Sequence, residues 1–77
     1  MNEFTIEENL TGNAAYHTYE PLDKLLSICY FDSQAELQDE EMFFFSHNPI
    51  PSMYEDYARD IDHSLYTLYT PELDIVE

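Results

Sequence analysis

A chain of 77 residues has room for one small domain, and 17 Asp and Glu against 2 Lys and Arg give it a formal charge of −15. That charge repels the phosphates of nucleic acids and membranes and attracts proteins with basic clefts, while 44% hydrophobic residues, with 7 Tyr and 5 Phe, exclude a disordered acidic tail. The lone Cys29 rules out an intrachain disulfide.

The N-terminus, Met1-Asn2-Glu3-Phe4, has no hydrophobic signal segment. No apolar run nears the ~18 residues that span a bilayer. The expected compartment is therefore the cytoplasm. Phe4 and Ile6 alternate with polar residues, the pattern of a short N-terminal strand over residues 4–8. Leu22, Leu25, Leu26 and Cys29 recur at i, i+3, i+4 and i+7 and predict an amphipathic helix, with Pro21 in its first turn. Cys29 reads as a small buried hydrophobe. Ser33 with Glu36 makes a capping box. It opens a segment in which Ala35, Met42 and Phe45 share one face while Leu37 and Phe44 take the other. A helix apolar on two sides is sandwiched or part of an interface. The competing reading makes residues 42–46 a strand paired with 4–8. A single glycine, Gly12, offers few tight hairpins, which favours helices.

His47-Asn48-Pro49-Ile50-Pro51 is a stiff loop, and Ser52 with Glu55 forms a second capping box. After it Tyr54, Tyr57, Ala58, Ile61, Leu65 and Leu68 fall on one stripe of a helix of about 16 residues, stopped before Pro71. Asp56 and Asp60 pair at i,i+4 on one flank. Glu55, Arg59, Asp62 and Tyr66 line the other, where Arg59 can pair with Glu55. The tail from about residue 71 is expected to fray. The expected fold is mainly α, a small acidic bundle of about three helices within the single domain 1–77. The alternative is α+β with a short N-terminal strand.

Catalytic signatures are missing. No Gly-rich phosphate loop exists, and Ser, Cys and His form no nucleophile–base pattern. Asp60-Ile61-Asp62 begins like a calcium loop, but no glycine follows and the segment reads as helix. His17, His47 and His63 have no ligand spacing and read as solvated or capping. The expectation is a protein that is not an enzyme and uses no metal or cofactor.

The order His17-x-Tyr19-Glu20-x-Leu22, Leu37-x-Asp39 and Asn48-x-x-Pro51-x-x-Tyr54-x-Asp56 is similar to the first half of the Ocr-type phage anti-restriction proteins, helical mimics of duplex DNA. It covers residues 17–56. Pro21 departs from it by interrupting what is a continuous first helix in that family. The resemblance implies an all-α, dimeric inhibitor that acts in the host cytoplasm, helps a phage evade host defence, and fills the DNA groove of a type I restriction–modification enzyme. The partner would be a basic DNA-binding protein rather than DNA itself or a membrane, with a homodimer as one arrangement.

Mimicry sets a charge requirement. A globule of this size exposes roughly 5,000 Å², so an even spread gives about one charge per 330 Å². Duplex DNA, treated as a cylinder of about 10 Å radius, carries about one per 110 Å². The carboxylates must therefore gather, and the candidate surface is Glu36, Asp39, Glu40 and Glu41 with Asp56, Asp60 and Asp62. Phe43, Phe44, Phe45 and Tyr66 are candidate interface residues. They favour a second reading, an acidic adaptor or antitoxin-like module that blocks one basic partner without imitating DNA. Repulsion among so many carboxylates further predicts a fold stabilised by salt and by mild acid.

Overall fold

A computed structural model of the chain describes residues 3–49 and 53–70. It contradicts the helical bundle. Five strands, β1 (Glu3–Glu8), β2 (Ala14–Glu20), β3 (Leu25–Phe31), β4 (Leu37–Phe44) and β5 (Tyr66–Tyr69), form one sheet in the order β4-β3-β2-β1-β5. All strand pairings among the described residues are antiparallel, and one short helix, α1 (Met53–Asp60), precedes β5. The architecture is mainly β, and the all-α design implied by the Ocr resemblance is not the one this chain adopts.

The reason lies in the period of the apolar residues. Side chains two apart along a strand share a face, and Leu26, Ile28 and Tyr30 in β3 match Ala15, His17 and Tyr19 in β2 and Phe4 and Ile6 in β1. Register aligns Phe4, His17 and Ile28 in one row and Ile6, Ala15 and Tyr30 in the next. The helical spacing of Leu22, Leu25, Leu26 and Cys29 is coincidental: Leu22 is 91% exposed in the β2–β3 turn, and Cys29 is only half-buried. Abundant Tyr, Phe, Thr and Ile, which fit a pleated half-buried surface, decide for strand. The competing reading's strand over 4–8 exists, as β1, but β4 pairs with β3 and not with β1.

The hairpins form with little glycine because each turn places one residue in the left-handed region: Gly12 (φ 79°), Lys24 (φ 52°) and Ala35 (φ 64°). Asp32 organises the β3–β4 turn, its Oδ1 accepting the Gln34 and Glu36 amides at 2.9 and 3.0 Å. The apparent Ser33–Glu36 capping box thus belongs to a turn and opens no helix.

α1 is eight residues long, and lies across one face of the sheet. Tyr54 and Tyr57 meet Phe4 at ring-centroid distances of 5.9 and 5.3 Å, and Met53 joins Phe4, Tyr19, Leu26 and Ile28 in the buried core. A helix this short is marginal alone, so these contacts hold it. It stops where the side chains of the next turn compete for its backbone. His63 Nε2 meets the Ala58 carbonyl at 2.6 Å, and Asp62 Oδ1 accepts from the Ser64 amide and hydroxyl at 3.0 and 2.6 Å. The rest of the long predicted helix is the turn 63–65 and β5. Ser52, the proposed cap, and the tail from 71 lie outside the described residues.

The opposite face of the sheet carries no described element. Thr5, Tyr16, Cys29 and Glu40 form a row across it.

Candidate functional site

β4 is one of the two edge strands, β5 being the other, and every one of its residues is exposed. Its sequence divides it. Asp39, Glu40 and Glu41 follow one another in the middle, with Glu36 just before the strand; Met42, Phe43 and Phe44 close it. Asp39 and Glu41 fall on the α1 side of the sheet and Glu40 on the other, as strand alternation requires. Each acid has a local tie. Asp39 Oδ1 accepts the Glu40 amide at 2.8 Å, Glu41 Oε1 accepts the Tyr30 hydroxyl at 2.7 Å, and Glu40 Oε2 lies 3.6 Å from the Cys29 thiol. Hydrogen bonding to Glu41 pushes the Tyr30 pKa up to about 12, and desolvation followed by Glu40 raises that of Cys29. The Tyr30–Glu41 bond fixes one carboxylate of the edge without neutralising it.

The second acidic group is placed elsewhere. Asp56 and Asp60 lie on α1, where Arg59 pairs with both, at 3.0 and 3.2 Å. Arg59, placed by the sequence pattern on the opposite flank with Glu55, thus partly neutralises the Asp56/Asp60 flank. Asp62 is turned to its own loop, where the Ser64 hydrogen bonds hold its pKa below the usual carboxylate range. Glu36, Asp39, Glu40 and Glu41 therefore gather along one edge, divided between its two faces, apart from Asp56 and Asp60 on α1 and Asp62 in the turn after it.

The aromatic candidates also separate. Met42, Phe43 and Phe44 are 65, 44 and 76% exposed, so the lower half of β4 presents apolar surface beside the acidic half. Phe45 turns inward and meets Tyr19 at 5.7 Å. Tyr66 is half-buried in β5, opposite Glu8.

His17 is the residue the sequence reading misplaced most. It is 4% exposed, stacked on Phe4 at 4.7 Å and edge-on to Tyr57 at 5.0 Å, with Nδ1 3.1 Å from the Ala15 carbonyl. Burial lowers its pKa. Its signal was the alternation Ala15, His17, Tyr19. The structural role of Asp32 was legible as an Asp two residues before a turn amide. Among the described residues, no three His, Cys, Asp or Glu are grouped to hold a metal, and no helix is long and apolar enough to cross a membrane.

Compared with known protein families, curated proteins and solved structures, the chain matches none of them.

Proposed function

We propose that this protein is an acidic inhibitor that occupies the DNA-binding groove of a basic enzyme, and that the β4 edge leads the contact. The observation that carries the reading is the run Asp39-Glu40-Glu41 on an exposed edge. Because neighbouring side chains alternate faces, the same-face carboxylates Asp39 and Glu41 stand about 6.6 Å apart along the strand, about two of the ~3.4 Å axial steps between phosphates of one DNA strand. The average surface is far too dilute to act this way: 15 charges over 5451 Å² is about one per 360 Å². The edge is where the charge gathers. Arg59 is on α1, paired with Asp56 and Asp60, and Lys24 meets the far, apolar end of the edge, where its carbonyl accepts the Phe45 amide at 2.8 Å. The residue order shared with Ocr-type proteins makes a type I restriction–modification enzyme the first target to try. The reading does not lean on that family's helices.

A groove that releases counterions on binding loses affinity steeply as salt rises, as it does for DNA. Complex formation should also exclude duplex DNA. Replacing Asp39 by Asn and Glu40 and Glu41 by Gln should weaken binding about tenfold, from three exposed charge pairs at a few tenths of a kcal/mol or more each. A ternary complex of enzyme, DNA and this protein at full occupancy would overturn the mimic. It would favour the adaptor reading, for which exposed Met42 and Phe44 are the supporting observation.

A further inference from the structure

α1 covers the Phe4–His17 row, and the sheet carries a cleft of about 340 Å³ at the end where β1 finishes and β2 begins. Its shape follows from the register. Ala15 stands between Ile6 and Tyr30 in the adjoining row, and its methyl group leaves a hollow between the larger neighbours. Tyr66, paired with Glu8 across β1 and β5, also lines the cleft, and Asp32 belongs to its lining just past the end of β3. The lining is thus an apolar floor, two phenol rings and two carboxylates.

Both carboxylates are positioned in advance. Glu8 Oε1 accepts the Thr11 hydroxyl at 2.8 Å, and Asp32 Oδ2 accepts from Gln38 Nε2 at 3.0 Å. Among the described residues neither forms an ion pair, the salt bridges there being those of Arg59 to Asp56 and Asp60. β1 and β3 are separated by β2 alone, so their ends lie about 10 Å apart. A guanidinium, its nitrogens about 2.3 Å apart, bridges carboxylate oxygens up to roughly 8 Å apart with a hydrogen bond of ~2.9 Å at either side, a separation within reach of side chains rooted about 10 Å apart. Guanidinium suits it better than ammonium, because it stacks on aromatic faces and presents donors in several directions.

We propose that the cleft receives an arginine side chain offered by the basic partner, its stem on Ile6 and Ala15, its guanidinium between Glu8 and Asp32 and against the tyrosine rings. The source of that arginine rests on the inhibitor reading; the chemistry of the cleft does not. Amide chemical shifts of the full chain, titrated with N-acetyl-arginine amide, test it. The expected result is saturable change confined to Ile6, Ala15, Tyr30, Tyr66 and their neighbours. N-acetyl-norleucine amide, which lacks the charge, and guanidinium chloride, which lacks the stem, should each bind at least fivefold more weakly. Glu8→Gln, which keeps an acceptor for Thr11, should weaken arginine amide at least fivefold with the rest of the spectrum unchanged. Equal binding of either comparator, shifts spread over all acidic residues, or no effect of Glu8→Gln would overturn the proposal. If arginine amide fails while competition with DNA holds, the cleft falls and the inhibitor stands. If it binds and DNA competition fails, the inhibitor reading falls and the cleft stands.

Discussion

Ala35 holds a left-handed conformation, φ 64°, that an L side chain tolerates at a cost of about 1 kcal/mol or more. The Asp32 hydrogen bonds to Gln34 and Glu36 on either side keep it there. Ala35→Gly relieves the strain but frees the unfolded chain, so the net gain should be about 0.5–1 kcal/mol. A rise of a few degrees in Tm is the expected readout, and a fall would mean that the turn does not hold this conformation. His17 is the residue that ties stability to pH. Its folded pKa lies below the unfolded value of ~6.5. Between those two values the unfolded chain binds the extra proton, so stability is full above 6.5 and is lost as pH falls through that window. Asp62, also lowered, acts with the same sign further down, below its ordinary 3.8. In the mild-acid range it is His17 that opposes the stabilisation the net charge suggests; Asp62 adds to the loss only at lower pH. Chemical denaturation from pH 7.5 to 5 should show the loss, and His17→Phe, which keeps the ring on Phe4, should flatten it. A wild-type curve that rises toward pH 5 would return the advantage to carboxylate repulsion.

At the scale of elements, β4 explains both what the sequence hides and what it discloses. Residues 37–44 hold three carboxylates and no buried side chain, so neither a helical nor a strand period emerges from them. Their conformation is imposed by β3, whose alternation Leu26, Ile28, Tyr30 was legible beneath a chance helical spacing. α1 was legible from Tyr54 to Ala58, because its apolar stripe is real there. Its end was not, because Asp62 and His63 act through the backbone rather than through hydrophobic pattern. The acidic run and the exposed aromatics could be read directly, since composition alone reports them; which acids adjoin required the topology. The same strand decides its own company. Antiparallel pairing of β4 with a second copy about its centre would set Glu40 against Glu41, and opposed like charges destabilise a sheet pair. The edge therefore rejects itself and suits a basic segment. Phe44, 76% exposed, should matter only to such a contact. Phe44→Glu is expected to change stability by no more than about 0.5 kcal/mol while weakening partner binding severalfold. Intact binding by calorimetry with intact mass by light scattering would show that the apolar half of β4 is not used.

Across the whole molecule, four strands pair with their sequence neighbours and one does not. β1 through β4 form a meander of local hairpins, whereas β5 returns to the far side of β1, with Thr67 bonded to Asn9 58 positions away. Helix and final strand together cover what the meander leaves bare. α1 supplies Met53, Tyr54 and Tyr57 over Phe4, which is 0% exposed, and β5 supplies Leu68 beside Ile6. Order of synthesis makes this arrangement consequential. The ribosome delivers β1 first and β5 last, so the outer edge of β1 waits for nearly the whole chain before it gains its partner. Early hairpins close quickly, while the distant pairing must overcome a larger loop entropy and sets the slow step of folding. In that interval β1 is itself an open edge of the nascent sheet, a position β5 takes over afterwards, and acidic Glu3, Glu7 and Glu8 along the first strand guard it against pairing with another growing chain until β5 closes on β1.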